Sequence, residues 1–262
     1  MCPFLSTGST DGLKQVVIMR IVKSEEQLNK YINRHHIQDL FSPEYYDTYR
    51  KHLVLVHFDK NEFIYKDPGE DISYLYFFVE GKAKVITTLS NGKRQLLFFY
   101  TNDGILGDLE MFNLSNPYTT VQAATSSYCI GLNIRAVRSI LESDPVFLYN
   151  LAKNLAFKLS RSSSNSSLNM YYPLENRLCS FINTMAAPYP RNPALPRIYK
   201  ESLSETAEVL GTSYRHLQRT LKGLCEQGII QKEGKAYRVI DEKALSEKGQ
   251  DIFIDEYSLT TK

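Results

Sequence analysis

The stretch that most restricts what this chain can become is Ser202 to Leu224, Ser-Leu-Ser-Glu-Thr-Ala-Glu-Val-Leu-Gly-Thr-Ser-Tyr-Arg-His-Leu-Gln-Arg-Thr-Leu-Lys-Gly-Leu. Ser202 with Glu205 three residues on is a capping-box signature: the hydroxyl accepts an amide of the first turn and the carboxylate reaches back. Leu203, Ala207 and Leu210 recur at i, i+4, i+7 and give a short helix one apolar side. Gly211 ends it, because glycine enters the left-handed conformation of a helix stop without steric cost. Ser213 then caps a second helix whose apolar side is Leu217, Leu221 and Leu224. Its free side carries Arg215, Gln218, Arg219 and Lys222 on one stripe.

Two short helices joined by a glycine turn, the second basic on its free face, describe a helix-turn-helix. Arginine suits that face because guanine offers O6 and N7 in the major groove as paired acceptors for the guanidinium fork. The motif alone also fits a surface hairpin with a solvated basic face. The next residues decide between them: Ile229 to Ile240 alternates apolar positions on both sides of a Glu-Gly turn, which predicts a β-hairpin beside the second helix, a wing. Lys232, Lys235 and Arg238 give it phosphate-seeking charge, opposed between Arg215 and Arg238 only by Glu226 and Glu233. The candidate DNA-binding residues are therefore Ser213, Tyr214, Arg215, Gln218, Arg219, Lys222, Lys232 and Lys235.

At 262 residues the chain suits one large or two modest domains, and 43% hydrophobic residues allow a sizeable core. A formal charge of +2 argues neither for nor against nucleic acid, so the local asymmetry carries that argument. Cys2, Cys129, Cys179 and Cys225 show no Cys-x-x-Cys spacing, which fits a reduced compartment and gives no disulfide framework or zinc site. No apolar run approaches the ~20 residues that cross a bilayer, so a cytoplasmic protein with no membrane partner is expected.

In chain order, Met1 to Val17 reads as a leader, with Met19 an alternative start. Leu28, Tyr31, Ile32 and His35 predict an amphipathic helix within Ser24 to Tyr49, and His35 and His36 read as surface or capping residues. Leu53–Phe58, Glu62–Lys66, Tyr74–Val79, Lys82–Thr88, Gln95–Tyr100 and Tyr128–Leu132 are strand candidates. Asp67-Pro-Gly69, Glu80-Gly81 and Asn91-Gly92 punctuate them, as in a sandwich or barrel. His52 and His57 fall on opposite strand faces and make a poor metal pair. Ile134 to Leu141 is a helix, and Pro145 starts a long one in which Leu148, Ala152, Leu155 and Leu159 alternate by four and three, a dimerisation seam that loosens past Arg161. Leu174 to Met185 is amphipathic, Pro188, Pro190, Pro193 and Pro196 make a stiff connection, and Asp241 caps a final helix containing Leu245. The tail from Glu247 is acidic and carries no pattern.

A β-rich domain, a long helix and a winged helix-turn-helix in this order closely resemble the superfamily of the cyclic-AMP receptor protein and the fumarate-nitrate reduction regulator, Crp/Fnr. The motifs are Ile64-Tyr-Lys-Asp-Pro-Gly-Glu70, Tyr76-Phe-Phe-Val-Glu-Gly81, Gly107-Asp-Leu-Glu-Met-Phe112, Val121-Gln-Ala-Ala124 and Leu210 to Arg219, and the last looks most like the YeiL-like branch. The resemblance implies base reading by Tyr214, Arg215 and Gln218, with Arg219 matching the family's recurrent arginine, and an effector pocket at Gly107, Asp108, Leu109, Tyr118 and Thr119. Cyclic-AMP-binding members carry Gly-Glu for the ribose hydroxyl and an arginine for the cyclic phosphate. This chain has Gly107-Asp108, and Asn116 to Val121 holds no arginine. A buried phosphate without its guanidinium loses a charge-assisted pair worth several kcal/mol, so tight cyclic-AMP binding is not expected. Cys2 alone cannot supply an iron-sulfur cluster of the fumarate-nitrate type, and no histidine is well placed for haem.

The expected architecture is α+β: a leader and N-terminal helix (1–40), an antiparallel jelly-roll barrel of the cyclic-nucleotide-binding type (41–134), a hinge and dimerisation helix (135–172), and a winged helix-turn-helix (173–262). The expected function is a homodimeric bacterial transcription regulator that binds double-stranded DNA, acts with RNA polymerase and answers to an unidentified small-molecule effector. No catalytic residue and no metal site are expected, and the cofactor is left unknown, with cyclic AMP and an iron-sulfur cluster not expected. Two alternatives stay open: a metal-dependent cupin-like enzyme, for which only His52 and His57 are at hand, and a non-DNA interaction module.

Overall fold

The computed structural model describes residues 20–65, 73–88, 90–100, 104–111, 119–186, 195–250 and 252, with backbone alone at 110 and 161–171. In chain order the elements begin with β1 (Arg20–Val22), α1 (Glu25–Arg34), a 3-10 turn (Ile37–Leu40) and α2 (Pro43–Arg50). The strands β2 (Leu53–Phe58), β3 (Phe63–Tyr65), β4 (Tyr74–Glu80), β5 (Ala83–Thr88), β6 (Arg94–Tyr100) and β7 (Gly104–Leu106) follow. Then come α3 (Asp108–Met111), β8 (Thr119–Ala123), β9 (Ser127–Asn133), α4 (Ile134–Leu141) and α5 (Pro145–Tyr171). The chain continues with α6 (Leu174–Ala186), β10 (Ile198–Tyr199), α7 (Leu203–Val209), α8 (Tyr214–Glu226), β11 (Ile230–Glu233), β12 (Ala236–Val239) and α9 (Glu242–Gly249).

Two antiparallel sheets, ordered β1-β2-β9-β4-β7 and β3-β8-β5-β6, form the jelly-roll domain. Strand alternation explains how they stack. Tyr76 and Phe78 join Phe58, Val85, Phe98 and Val121 between the sheets, whereas Leu75, Phe77 and Val79 point the other way onto α1, α4 and α5. The run Tyr-Leu-Tyr-Phe-Phe-Val has no polar break because both its faces are buried. Each fully buried side chain of this kind contributes about 1.5–3 kcal/mol. The second sheet is also covered on both faces: Ile86, Leu96 and Phe99 share a core with Phe181, Tyr199, Val209 and Leu210 of the C-terminal domain.

The expected helix within Ser24–Tyr49 is three pieces. His36 takes a left-handed φ of 50°, which ends α1, and Pro43, preset for a first turn, opens α2. His35 ends α1 as its cap, with its ring stacked on Tyr31. Strands β1, β7, β8 and β10 are additions to the expected set, and three of them are so short that two or three residues carry no periodicity of their own. The turn at Asp67-Pro-Gly69 and most of the proline-rich connection lie outside the described residues.

Long helix α5 is anchored at its start by Asp144, which is fully buried. Its carboxylate accepts from Val146 N and Phe147 N at 3.0 Å, and from Ser42 N and Oγ, the latter at 2.7 Å. Those hydrogen bonds outweigh burial and hold its pKa below the ordinary carboxylate value. Backbone α-helix continues past Arg161 to Tyr171, so the Ser- and Asn-rich segment stays helical. The tail is less plain than expected: α9 runs on to Gly249, Ile252 is buried, and Lys248 pairs with Glu175 at 2.7 Å. Gly249 lies so close to α6 that a Cβ there would meet Ser180 N at 2.8 Å.

Candidate nucleic-acid interface and barrel pocket

Helices α7 and α8 realise the turn that the sequence predicts. Gly211 sits at φ +62°, the left-handed conformation that lets the chain reverse between them. Ser213 caps α8 by accepting from His216 N at 3.2 Å, and Leu217, Leu221 and Leu224 are buried beneath it. Ser202 caps α7, but the reciprocal arm of the capping box is not made: the Glu205 carboxylate pairs with the buried ammonium of Lys84 on β5. A charge-assisted bond to a buried cation outweighs one to an exposed amide.

Anchored in this way, α8 turns its other face outward. Tyr214 is 47% exposed, and its hydroxyl accepts from Gln218 Nε2 at 3.1 Å, which fixes the amide's direction. Arg215 and Arg219 are exposed, and neither guanidinium has an ion-pair or hydrogen-bond partner among the described residues. Lys222 leans on Glu226 at 3.5 Å. In the wing, β11 and β12 turn at Gly234-Lys235, one residue later than expected, which puts Lys235 at the tip with Lys232 beside it. Arg238 differs from its expected role, because its guanidinium takes both oxygens of Glu233 at 2.6 and 3.3 Å. The two acids within the basic stretch are thus already occupied, and Lys232 and Lys235 keep their charge for a partner.

The long helix presents two faces. Phe147, Leu151 and Asn154 are buried against the sheet domain with Lys158 one turn further on. Of the expected seam, Ala152 and Leu159 are exposed, Leu159 at 72%, while Leu148 and Leu155 are half-buried against the sheet domain. With Tyr149 at 68% exposure and Ala156 also exposed, the outward stripe is Tyr149, Ala152, Ala156 and Leu159.

The pocket residues behave differently from expectation. Asp108 is 2% exposed and already fully engaged: Lys158 Nζ lies 2.7 and 2.8 Å from its two oxygens, and Asn154 Nδ2 donates to one at 2.7 Å. Lys158 also donates to Ile105 O at 2.8 Å. Burial opposes its charge, but Tyr100 and Asp108 prevail and raise its pKa above the ordinary lysine value. Asn154 serves both backbone groups of Ile105, N–H at 3.3 Å and C=O at 3.5 Å, and so finishes edge strand β7. Gly107 and half-buried Leu109 flank the aspartate, Thr119 pairs with Thr87 in the other sheet, and Tyr118 lies outside the described residues. Sequence reasoning missed Asn154 and Lys158, although their i, i+4 spacing one turn beyond Phe147 and Leu151 places them on the buried face.

A family model for the cyclic nucleotide-binding domain matches residues 55–144, and one for the Crp-like helix-turn-helix domain matches residues 176–248. Regulatory protein YeiL of Escherichia coli O157:H7 is 30% identical over 192 residues, which cover 73% of this chain and 84% of that protein. The chain belongs to the Crp/Fnr family of transcription regulators. Its fold is similar to a Crp/Fnr-family regulator from Eubacterium rectale (TM-score 0.70, 13% identity, 83% of this chain and 99% of that one). It is also similar to a CRP-family regulator from Thermus thermophilus (TM-score 0.59, 22% identity, 76% and 98%). This Crp/Fnr regulator therefore joins a cyclic-nucleotide-binding-type jelly roll to a DNA-binding winged helix-turn-helix. Among its described residues no helix is long and apolar enough to cross a membrane.

Proposed function

We propose that this Crp/Fnr protein is a cytoplasmic, non-enzymatic homodimer that reads paired DNA half-sites with Arg215, Gln218 and Arg219, and holds the backbone with Ser213, Lys222, Lys232 and Lys235. The observation that carries the reading is the pair of outward guanidinium groups, without partners among the described residues, on a helix fixed by its cap and its leucines. Such a fork can bond guanine bidentately without first breaking an internal pair. The apolar stripe Tyr149, Ala152, Ala156 and Leu159 supports α5 as the dimer contact, since two-fold readers need protomers whose half-sites lie about 34 Å apart. RNA polymerase is the further partner through which such a regulator acts.

The effector, in this reading, is not cyclic AMP. A ribose hydroxyl seeking Asp108 meets a carboxylate whose two oxygens already hold Lys158 and Asn154. The test is fluorescence anisotropy on a duplex that the wild-type protein selects from a random pool. Arg215→Ala and Arg219→Ala should each cost about 1–3 kcal/mol, roughly 5- to 150-fold in Kd. Binding unchanged in both variants overturns the assignment.

A further inference from the structure

The recognition helix does not stand alone at its N-terminal end. An open cleft of about 700 Å³ separates the turn of the helix-turn-helix, at Glu208 and Leu210 to Ser213, from the β5–β6 hairpin of the jelly roll, at Asn91 and Lys93 to Gln95. The two domains are held in this relation by contacts that run from the shared core out to the surface. Lys82 Nζ donates to Thr184 O at 2.5 Å, Lys84 pairs with Glu205, Lys60 meets Glu201 at 2.5 Å, and Phe99 lies on Phe181 with ring centroids 5.6 Å apart. The side of the C-terminal domain used for docking is that of α6 and α7, so the reading face of α8 stays open while the hairpin is brought beside its N-terminus.

The charge on that hairpin is one-sided. Lys93 is exposed and has no ion pair among the described residues. Among the described residues, Arg94 makes only a long contact of 3.8 Å with the exposed carboxylate of Glu208, which is also the sole acid among them lining the cleft. At the back, Arg177 is engaged by backbone carbonyls, with Nη1 donating to Leu210 O at 2.5 Å. A helix whose N-terminal residues enter the major groove brings the flanking sugar-phosphate backbone past its cap residue. In this protein the cap is Ser213, on the cleft's edge.

We propose that the β5–β6 hairpin is part of the DNA-binding surface: across the cleft from Ser213, Lys93 and Arg94 bind backbone phosphates flanking the bases read by α8. This rests on the reading of α8 as the DNA-facing helix. It extends the DNA contact from the C-terminal domain onto the sensory domain, so that any loosening of the two domains removes phosphate contacts as well as re-aiming the helix. Because the contact is to backbone, it adds affinity and salt dependence without sequence preference.

The experiment uses the full-length protein and a duplex that it selects from a random pool, with Kd measured by anisotropy across a salt series. Lys93→Gln, which breaks no ion pair in the protein, and Lys93→Gln with Arg94→Gln should weaken binding equally on selected and scrambled duplexes. They should also flatten the log Kd against log salt slope by about 0.9 for each phosphate no longer neutralised. Glu208→Gln should tighten binding, since it removes a negative charge facing the phosphates. Unchanged affinity and slope in the lysine variants, or no gain in Glu208→Gln, overturns the proposal. If the hairpin alone is wrongly assigned, Arg215→Ala still loses selected-site binding; if Arg215→Ala is also silent, the reading of α8 itself has failed.

Discussion

Replacing Lys158 by Met should destabilise the protein by about 3–5 kcal/mol, because it strands a buried carboxylate. Asp108 is 2% exposed and Lys158 20% exposed, so solvent screens the pair little. Opposite charges 2.7 Å apart attract by about 6 kcal/mol at an effective dielectric near 20, part of which offsets the cost of removing both from water. Methionine keeps the stem of the side chain in place and deletes only the ammonium, leaving Asp108 with the single amide of Asn154. Asp108→Asn in the same chain removes the stranded charge and should recover most of the loss. The double-mutant cycle should then give a coupling of at least about 2 kcal/mol. Urea unfolding followed by far-ultraviolet circular dichroism measures it, since the chain contains no Trp. Losses that add to within about 0.5 kcal/mol would refute the account, for they would mean that the two groups do not depend on each other.

Three further outcomes follow from other contacts. Burial lowers the Lys82 pKa to about 8 from 10.5, with Arg197 adding to the effect, so the unfolded chain binds the proton more tightly and stability should rise between pH 8 and 10.5. The slope reaches at most about 1.4 kcal/mol per pH unit, and denaturation across that range should find it absent in Lys82→Met. Gly249→Ala forces a methyl against the backbone of Ser180 and should cost about 1–3 kcal/mol, read as a lower Tm for the C-terminal domain. Asp144→Ala removes the cap of α5 and its tie to Ser42; a loss of about 2–4 kcal/mol in chemical denaturation is expected, and under 0.5 kcal/mol would contradict the capping role.

What can be read from the chain is what neighbours in sequence decide. Ser213 as a cap, Leu217, Leu221 and Leu224 as a buried face, Pro145 as a helix start and the alternation of β4 each depend on residues a few positions apart. What cannot be read depends on partners far along the chain. Lys82 and Lys84 alternate with Ala83 and Val85, so their shared face is legible, but nothing local says that α6 and α7 cover it. Lys158 and Asp108 are 50 positions apart, and a lysine on an amphipathic helix reads as solvated until its acid is found. Strands β1 and β7 exist because β2 and β4 supply their hydrogen bonds. The left-handed turn at His36 likewise owes more to the packing of Ile37 and Leu40 than to its own preference.

The most direct trial of the account is to select binding sites from a random duplex pool with the wild-type protein and with Arg215→Ala, and to compare the two motifs. Wild type should return an inverted repeat whose half-sites lie one helical turn apart, and the variant the same repeat with one position in each half relaxed. An identical motif from both proteins, or a single unpaired half-site from wild type, would contradict it.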